Sequence, residues 1–133
     1  MTHDETYEKG LRIRKEVMGA ANVEARLKAS TEFMQPLQTM ISKWAYGEIW
    51  ARDELPRKVR SMLVLAMMAA LNRPQELRVH LIGALNNGCT KDEIREVLLQ
   101  VAIYCGIPAS LDAHNMAVEV FAEESGAPAK VNY

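Results

Sequence analysis

The chain has 133 residues and a mass of 14.9 kDa, long enough for one domain with a continuous core and too short for two comfortable ones. Its 16 basic and 17 acidic side chains leave a net charge of −1, which removes the main electrostatic argument for a nucleic-acid partner. With 49% hydrophobic and 25% charged residues it has the composition of an ordinary globular protein, and at this size neither disulfides nor a structural metal is required.

Helix formers dominate and breakers are few, so an all-α fold of about six helices is expected. The first, about Thr6 to Met18, is charged, with Leu11, Ile13 and Val17 as anchors and an end near Gly19. Arg12-Ile13-Arg14-Lys15, beside Glu8 and Glu16, reads as a solvated face rather than a phosphate-binding patch. A second helix starts near Pro36, which suits a first helical turn, and runs to about Trp50 with the stripe Leu37, Met40, Ile41 and Trp44. The third, about Pro56 to Leu71, is apolar all round from Leu63 onward, which predicts a central helix buried on every side. A break at Asn72-Arg73-Pro74 opens a fourth helix, ended by Asn86-Asn87-Gly88, where Gly can take the left-handed conformation. Thr90-Lys91-Asp92-Glu93 is a capping box for the fifth, whose apolar face is Ile94, Val97, Leu98, Val101 and Cys105. Gly106-Ile107-Pro108 separates it from a sixth, about Ala109 to Glu123, and the stretch Ser125–Tyr133 is expected to fray.

Cys89 and Cys105 stand sixteen positions apart without a CxxC, so a reduced pair fits better than a disulfide framework or a zinc site. The longest apolar run, Met62–Leu71, has ten residues, where a membrane-spanning helix needs about twenty. Met1-Thr2-His3-Asp4-Glu5 is polar and acidic, unlike a secretory signal, and the expected location is the cytoplasm. Three histidines without clustered spacing argue against a catalytic metal, and phosphate loops and nucleophile elbows are missing from the sequence. Any chemistry is acid–base.

A few polar groups interrupt the apolar stripes, and such inconsistencies tend to mark function or strain. His80 lies three residues after Leu77 and four before Ala84, with Glu76 one turn earlier at i−4. A carboxylate against an imidazole can hold a proton near neutral pH; the plainer reading is a core histidine satisfied by a backbone carbonyl. Glu48 continues the stripe of Ile41 and Trp44 near a helix C-terminus, where burial and the macrodipole raise a carboxyl pKa, unless it bends out to water. His114 repeats the theme between Leu111 and Val118. Arg60 and Arg52 are candidate clamps for a carboxylate ligand, against the commoner reading of solvated arginines at helix ends.

The blocks Tyr46-Gly47-Glu48-Ile49-Trp50, Arg60-Ser61, Leu71-Asn72-Arg73, Glu76-Leu77, His80-Leu81, Asn86-Asn87-Gly88, Thr90 to Ile94 and Tyr104 to Ala109 resemble the 4-carboxymuconolactone decarboxylases of protocatechuate catabolism, over about Tyr7 to Glu123. The resemblance implies a cofactor-free, all-α subunit of the alkylhydroperoxidase-like superfamily, assembling into a ring, hexamer or trimer. It also implies the loss of CO2 from a small carboxylated lactone to give 3-oxoadipate enol-lactone in the 3-oxoadipate pathway. On this reading His80, tuned by Glu76, donates the proton, Glu48 is a second acid or orienting group, Arg60 or Arg52 clamps the substrate, and Trp44 helps desolvate the departing carboxylate. The superfamily's thiol peroxidase branch carries a CxxC one turn before the equivalent histidine. Here Arg73 and Glu76 hold those positions, which disfavours redox chemistry. Where the decarboxylases tend to have an Asn and, four residues on, a His, this chain has Leu111 and Asn115, with His114 one place early. That shift directs attention to His114 as a ligand contact and to a related lactone as substrate. The alternative is a non-catalytic oligomeric relative that binds a ligand.

Overall fold

A computed structural model of the chain describes residues 3–126, and among these every regular element is helical. They form two compact units, one ending at Arg57 and one beginning at Lys58. Among the described residues seven α-helices are present rather than six; the expected frayed stretch lies, beyond Gly126, outside the described residues.

The first unit holds α1 (His3–Met18), α2 (Ala20–Ala29), a 3-10 turn (Glu32–Met34) and α3 (Gln35–Met40), which runs without a break into a π-helix (Ile41–Trp50). Gly19 ends α1 as expected, at φ 90°, a conformation only glycine adopts without strain. The helix missing from the sequence reading is α2. Four alanines and a leucine give it helix propensity, but it buries only Val23 and so has no stripe to find.

The face that α3 and the π-helix turn inward is not the apolar stripe that was expected. The anticipated stripe faces outward: Leu37 is 48% exposed, Met40 55% and Trp44 52%. Buried instead are Gln38, Ser42, Tyr46, Gly47 and Trp50. Arg14, read as part of a solvated face, is also buried, together with Ile13. Its guanidinium donates from Nη1 to Ser42 Oγ at 3.1 Å and from Nη2 to Gln38 Oε1 at 2.9 Å. A buried charge on α1 therefore fixes which face of α3 turns inward, because an unbonded guanidinium in the interior is costly. Tyr46 and Trp50 complete the face as a stacked pair, with ring centroids 5.7 Å apart.

The second unit holds α4 (Arg57–Ala70), α5 (Pro74–Asn86), α6 (Lys91–Cys105) and α7 (Ile107–Ser125). Its apolar core draws Leu65 and Ala69 from α4, Leu77, Leu81 and Ala84 from α5, Ile94, Leu98 and Val101 from α6, and Ala113, Ala117 and Val120 from α7. Helix α4 buries one face, Ser61, Leu65 and Ala69, while Leu63, Met67 and Leu71 stay 44%, 52% and 61% exposed. Burial on every side is thus not found within the chain. The α4–α5 turn places Asn72 at φ 55° and closes with Arg73 N–H donating to Met68 O.

The punctuation fell where the residues put it. Gly88 is left-handed at φ 89°. The Thr90 hydroxyl accepts from Glu93 N–H at 3.0 Å, and the Glu93 carboxylate accepts from Thr90 N–H at 2.9 Å, a complete capping box. Helix α7 begins at Ile107, two residues earlier than expected, since Pro108 fits the first turn. The Ser110 hydroxyl donates to Leu98 O at 2.6 Å and ties α7 to α6; Arg78 pairs with Glu123 and ties α5 to α7.

Candidate active site

On α5 the i, i+4 spacing brings Glu76 and His80 together. His80 Nε2 stands 3.8 Å from Glu76 Oε2, with side chains 15% and 48% exposed. At that separation the contact is electrostatic rather than a hydrogen bond. Leu77, Leu81 and Ala84 carry the buried stripe beside it, so His80 sits at the margin of the core, shielded on one side and reachable on the other. An imidazole so placed can exchange protons with a ligand; one sealed in the core cannot.

His114 has the backbone partner that the plainer reading required. Its Nδ1 lies 2.8 Å from Ser110 O and 3.2 Å from Ser110 Oγ. The Ser110 hydrogen is committed to Leu98 O, so a neutral ring donates from Nδ1 to Ser110 O and keeps its lone pair on Nε2. The network thereby assigns the tautomer and fixes the ring. Asn115 is buried and Leu111 is 40% exposed, so the one-place shift of the histidine alters which of these α7 positions carries an imidazole at the edge of the core.

The remaining candidates spread along the chain. Arg60 is half-buried in the first turns of α4, next to Ser61, whose hydroxyl accepts from Asn87 Nδ2 at 2.9 Å. In the first unit Glu48 is exposed, so the burial expected for it is not found. Trp44 has Lys43 Nζ 4.7 Å from its ring centroid. Arg52 is 58% exposed and pairs with Glu54 at 3.5 Å, the arrangement of a solvated helix-end arginine. An apolar groove of about 620 Å³ runs between α4 and α6, lined among others by Met62, Leu63, Ala66, Val97 and Val101. None of the candidate residues lines it.

Both cysteines are free. Cys105, placed on the apolar face of the fifth helix by the sequence reading, is exposed instead. Cys89 is buried, and that burial pushes its thiol pKa up, with the charge of Glu93 adding to the effect. A thiol held protonated is a poor nucleophile. Among the described residues no three His, Cys, Asp or Glu side chains gather as metal ligands, and no helix is long and apolar enough to cross a membrane.

Residues missed by the sequence reading are Arg14, Gln38 and Ser42, which lock α1 to α3. A signal was available: Thr6, Gly10, Arg14 and Val17 recur at i, i+4, i+8 and i+11, the spacing of one helix face.

A model of the carboxymuconolactone decarboxylase family matches residues 35–119, from the start of α3 into α7. The chain belongs to the carboxymuconolactone decarboxylase family. Within or near that family, it is 45% identical over 132 residues to the 4-carboxymuconolactone decarboxylase of Acinetobacter baylyi, covering 99% of this chain and 98% of that protein. It is 41% identical over 111 residues to the nitrosuccinic acid decarboxylase of Metarhizium robertsii, covering 84% of this chain and 78% of the other. An uncharacterised 15.0 kDa protein of Paracoccus denitrificans is 36% identical over 88 residues. The alkylhydroperoxidase-like, all-α fold expected from the resemblance is the fold of this family.

Proposed function

We propose that the protein is a carboxy-lyase that removes CO2 from 4-carboxymuconolactone, or a closely related carboxylated lactone, to give 3-oxoadipate enol-lactone in the breakdown of protocatechuate. The observation that carries this reading is the 45% identity, along 99% of the chain, to a relative named for that activity. The acid–base pair on α5 supports it from the side of chemistry. When the carbon–carboxylate bond breaks, its electron pair delocalises into the conjugated lactone carbonyl as a furan-like dienolate. The substrate is its own electron sink, so the reaction calls for no cofactor. The protein has to stabilise the developing oxyanion and return a proton to the α-carbon.

In this reading His80 gives that proton, and the anionic Glu76 favours the cationic imidazole that carries it. Glu48 orients the substrate or acts as a second acid. Arg60 or Arg52 holds a carboxylate that does not leave, Trp44 shields the one that does, and His114 contacts the ligand through Nε2. The whole chain acts as one domain, in a ring of six or three copies in the cytoplasm. Leu63 and Met67 on α4 and Leu71 just past its end, all exposed, support association, since a lone soluble chain rarely leaves such a patch uncovered.

A second reading concerns the substrate alone. The 41% identity to a nitrosuccinic acid decarboxylase and the shifted histidine both favour a different small carboxylate. Nitrosuccinic acid bears a carboxyl on the carbon that carries the nitro group, so the electrons released with CO2 have a nitronate to enter. Incubating the purified protein with each compound, without added metal or cofactor, and measuring CO2 separates the two. A non-catalytic relative releases none from either.

A further inference from the structure

Helix α1 carries an arginine, Arg14, that is 3% exposed. A charge so buried needs fixed partners, and Arg14 has two in α3 and its continuation, Gln38 Oε1 at 2.9 Å and Ser42 Oγ at 3.1 Å. These acceptors flank the point between Met40 and Ile41 where α winding gives way to π winding. π-Helices seldom exceed one turn and are frequent at functional sites; ten residues of one call for outside support. The rigid fork of Arg14 bonds Gln38 on the α side of the junction and Ser42 on the π side. Two glycines set the depth. A Cβ on Gly10 would lie 1.8 Å from Ser42 O, and one on Gly47 would lie 2.8 Å from Thr6 O, so α1 and the π-helix touch backbone to backbone.

The consequence appears on the opposite face. With Gln38 and Ser42 held inward, Met40, Trp44 and Glu48 recur every fourth residue on the exposed side. An i→i+5 helix turns less than 90° per residue against 100° in an α-helix. Over the six residues from Ser42 to Glu48, rewinding to α therefore rotates Glu48 about the axis by roughly 60° or more.

We propose that Arg14 is a positioning residue that fixes the direction in which Glu48 meets the substrate, by locking the α-to-π junction through Gln38 and Ser42, with Trp44 on the same face as its spectroscopic reporter. The inference rests on the reading of Glu48 as a substrate-orienting group. Arg14→Met keeps the aliphatic stem and removes the donors. It is measured in the native background and in Glu48→Gln, with thermal midpoint and oligomer mass followed in both. The expected result is a fall in kcat/KM of roughly tenfold to a hundredfold in the native background, and a further change below about twofold in Glu48→Gln. An equal loss in both backgrounds overturns the inference, because Arg14 then only stabilises the fold. Should Arg14→Met fail to fold, Ser42→Ala takes its place in the same cycle.

Glu48→Gln with native turnover also overturns it, since nothing remains to be positioned, while the decarboxylase reading stands. If the native protein releases no CO2 from either compound, that reading falls alone. Trp44 emission and acrylamide quenching, measured in Trp50→Phe, then test the positioning directly: a shift on adding Arg14→Met supports it and an unchanged spectrum overturns it.

Discussion

At the level of single residues the proposed chemistry rests on an imidazole at the edge of an apolar core with a carboxylate 3.8 Å away. His80→Ala is expected to cut turnover by about 10²–10⁴-fold, the usual contribution of a positioned acid–base group, without loss of fold or oligomer. Turnover within about tenfold of native protein contradicts that role. Glu76→Gln is expected to cost less and to move the pH–rate profile toward lower pH, because the anion that favours the charged imidazole is gone; an unmoved profile contradicts the coupling. The Glu76–His80 pair was legible in the sequence because i, i+4 spacing is local. Arg14 was not. It stands in a run of charges, and what draws it inward is a pair of acceptors 24 and 28 residues away; the spacing of Thr6, Gly10, Arg14 and Val17 marks a helix face but not what Arg14 meets there.

At the level of elements, the helices with caps were legible and the helix without a stripe was not. The Thr90 cap shows why: its residue types and spacing are the interaction. Thr90→Ala is expected to lower stability by about 1 kcal/mol, read from the midpoint of chemical denaturation. Lys58, hydrogen-bonded to the same Glu93, is the main cause that holds the Glu93 carboxyl below its ordinary value of 4.5, with the Thr90 N–H next. A depressed carboxyl stabilises the fold above its unfolded pKa, and that contribution is lost as pH falls through the folded value. The thermal-midpoint difference between native protein and Glu93→Gln is therefore expected at neutral pH and to vanish in acid. A difference that persists undiminished at low pH contradicts the linkage. In the first unit, 3.6-residue counting grouped Trp44 with Glu48 correctly but turned that face inward, because the buried face opens with the polar Gln38 and Ser42 and the winding changes at Ile41. Gly10→Ala tests the close approach there. The overlap with Ser42 O is expected to destabilise by about 3 kcal/mol, the upper end of overpacking costs, and a neutral effect contradicts it.

At the level of the whole molecule, the apolar composition exceeds what one chain buries. The all-round apolar half of α4 predicted burial, and the chain covers only one of its faces; if the ring assembly holds, neighbouring copies cover the rest. Light scattering is expected to give six or three chain masses, and Leu63→Glu with Met67→Glu a smaller species; a native monomer contradicts assembly. Cys89→Ser with Cys105→Ser is expected to leave turnover intact, as neither thiol enters a decarboxylation through a dienolate. Of the candidate site, the residue types came from the resemblance, and the structure joins the local pair Glu76–His80, whereas the grouping of the others depends on how distant helices meet. The most direct test of the proposed activity is CO2 release from 4-carboxymuconolactone by the purified protein with no metal or cofactor added. The expected result is stoichiometric CO2 and enol-lactone at a rate within the ordinary enzymatic range, about 1–10³ s⁻¹, cut by about 10²–10⁴-fold in His80→Ala; no CO2 above the uncatalysed background, or CO2 release indifferent to His80→Ala, contradicts it.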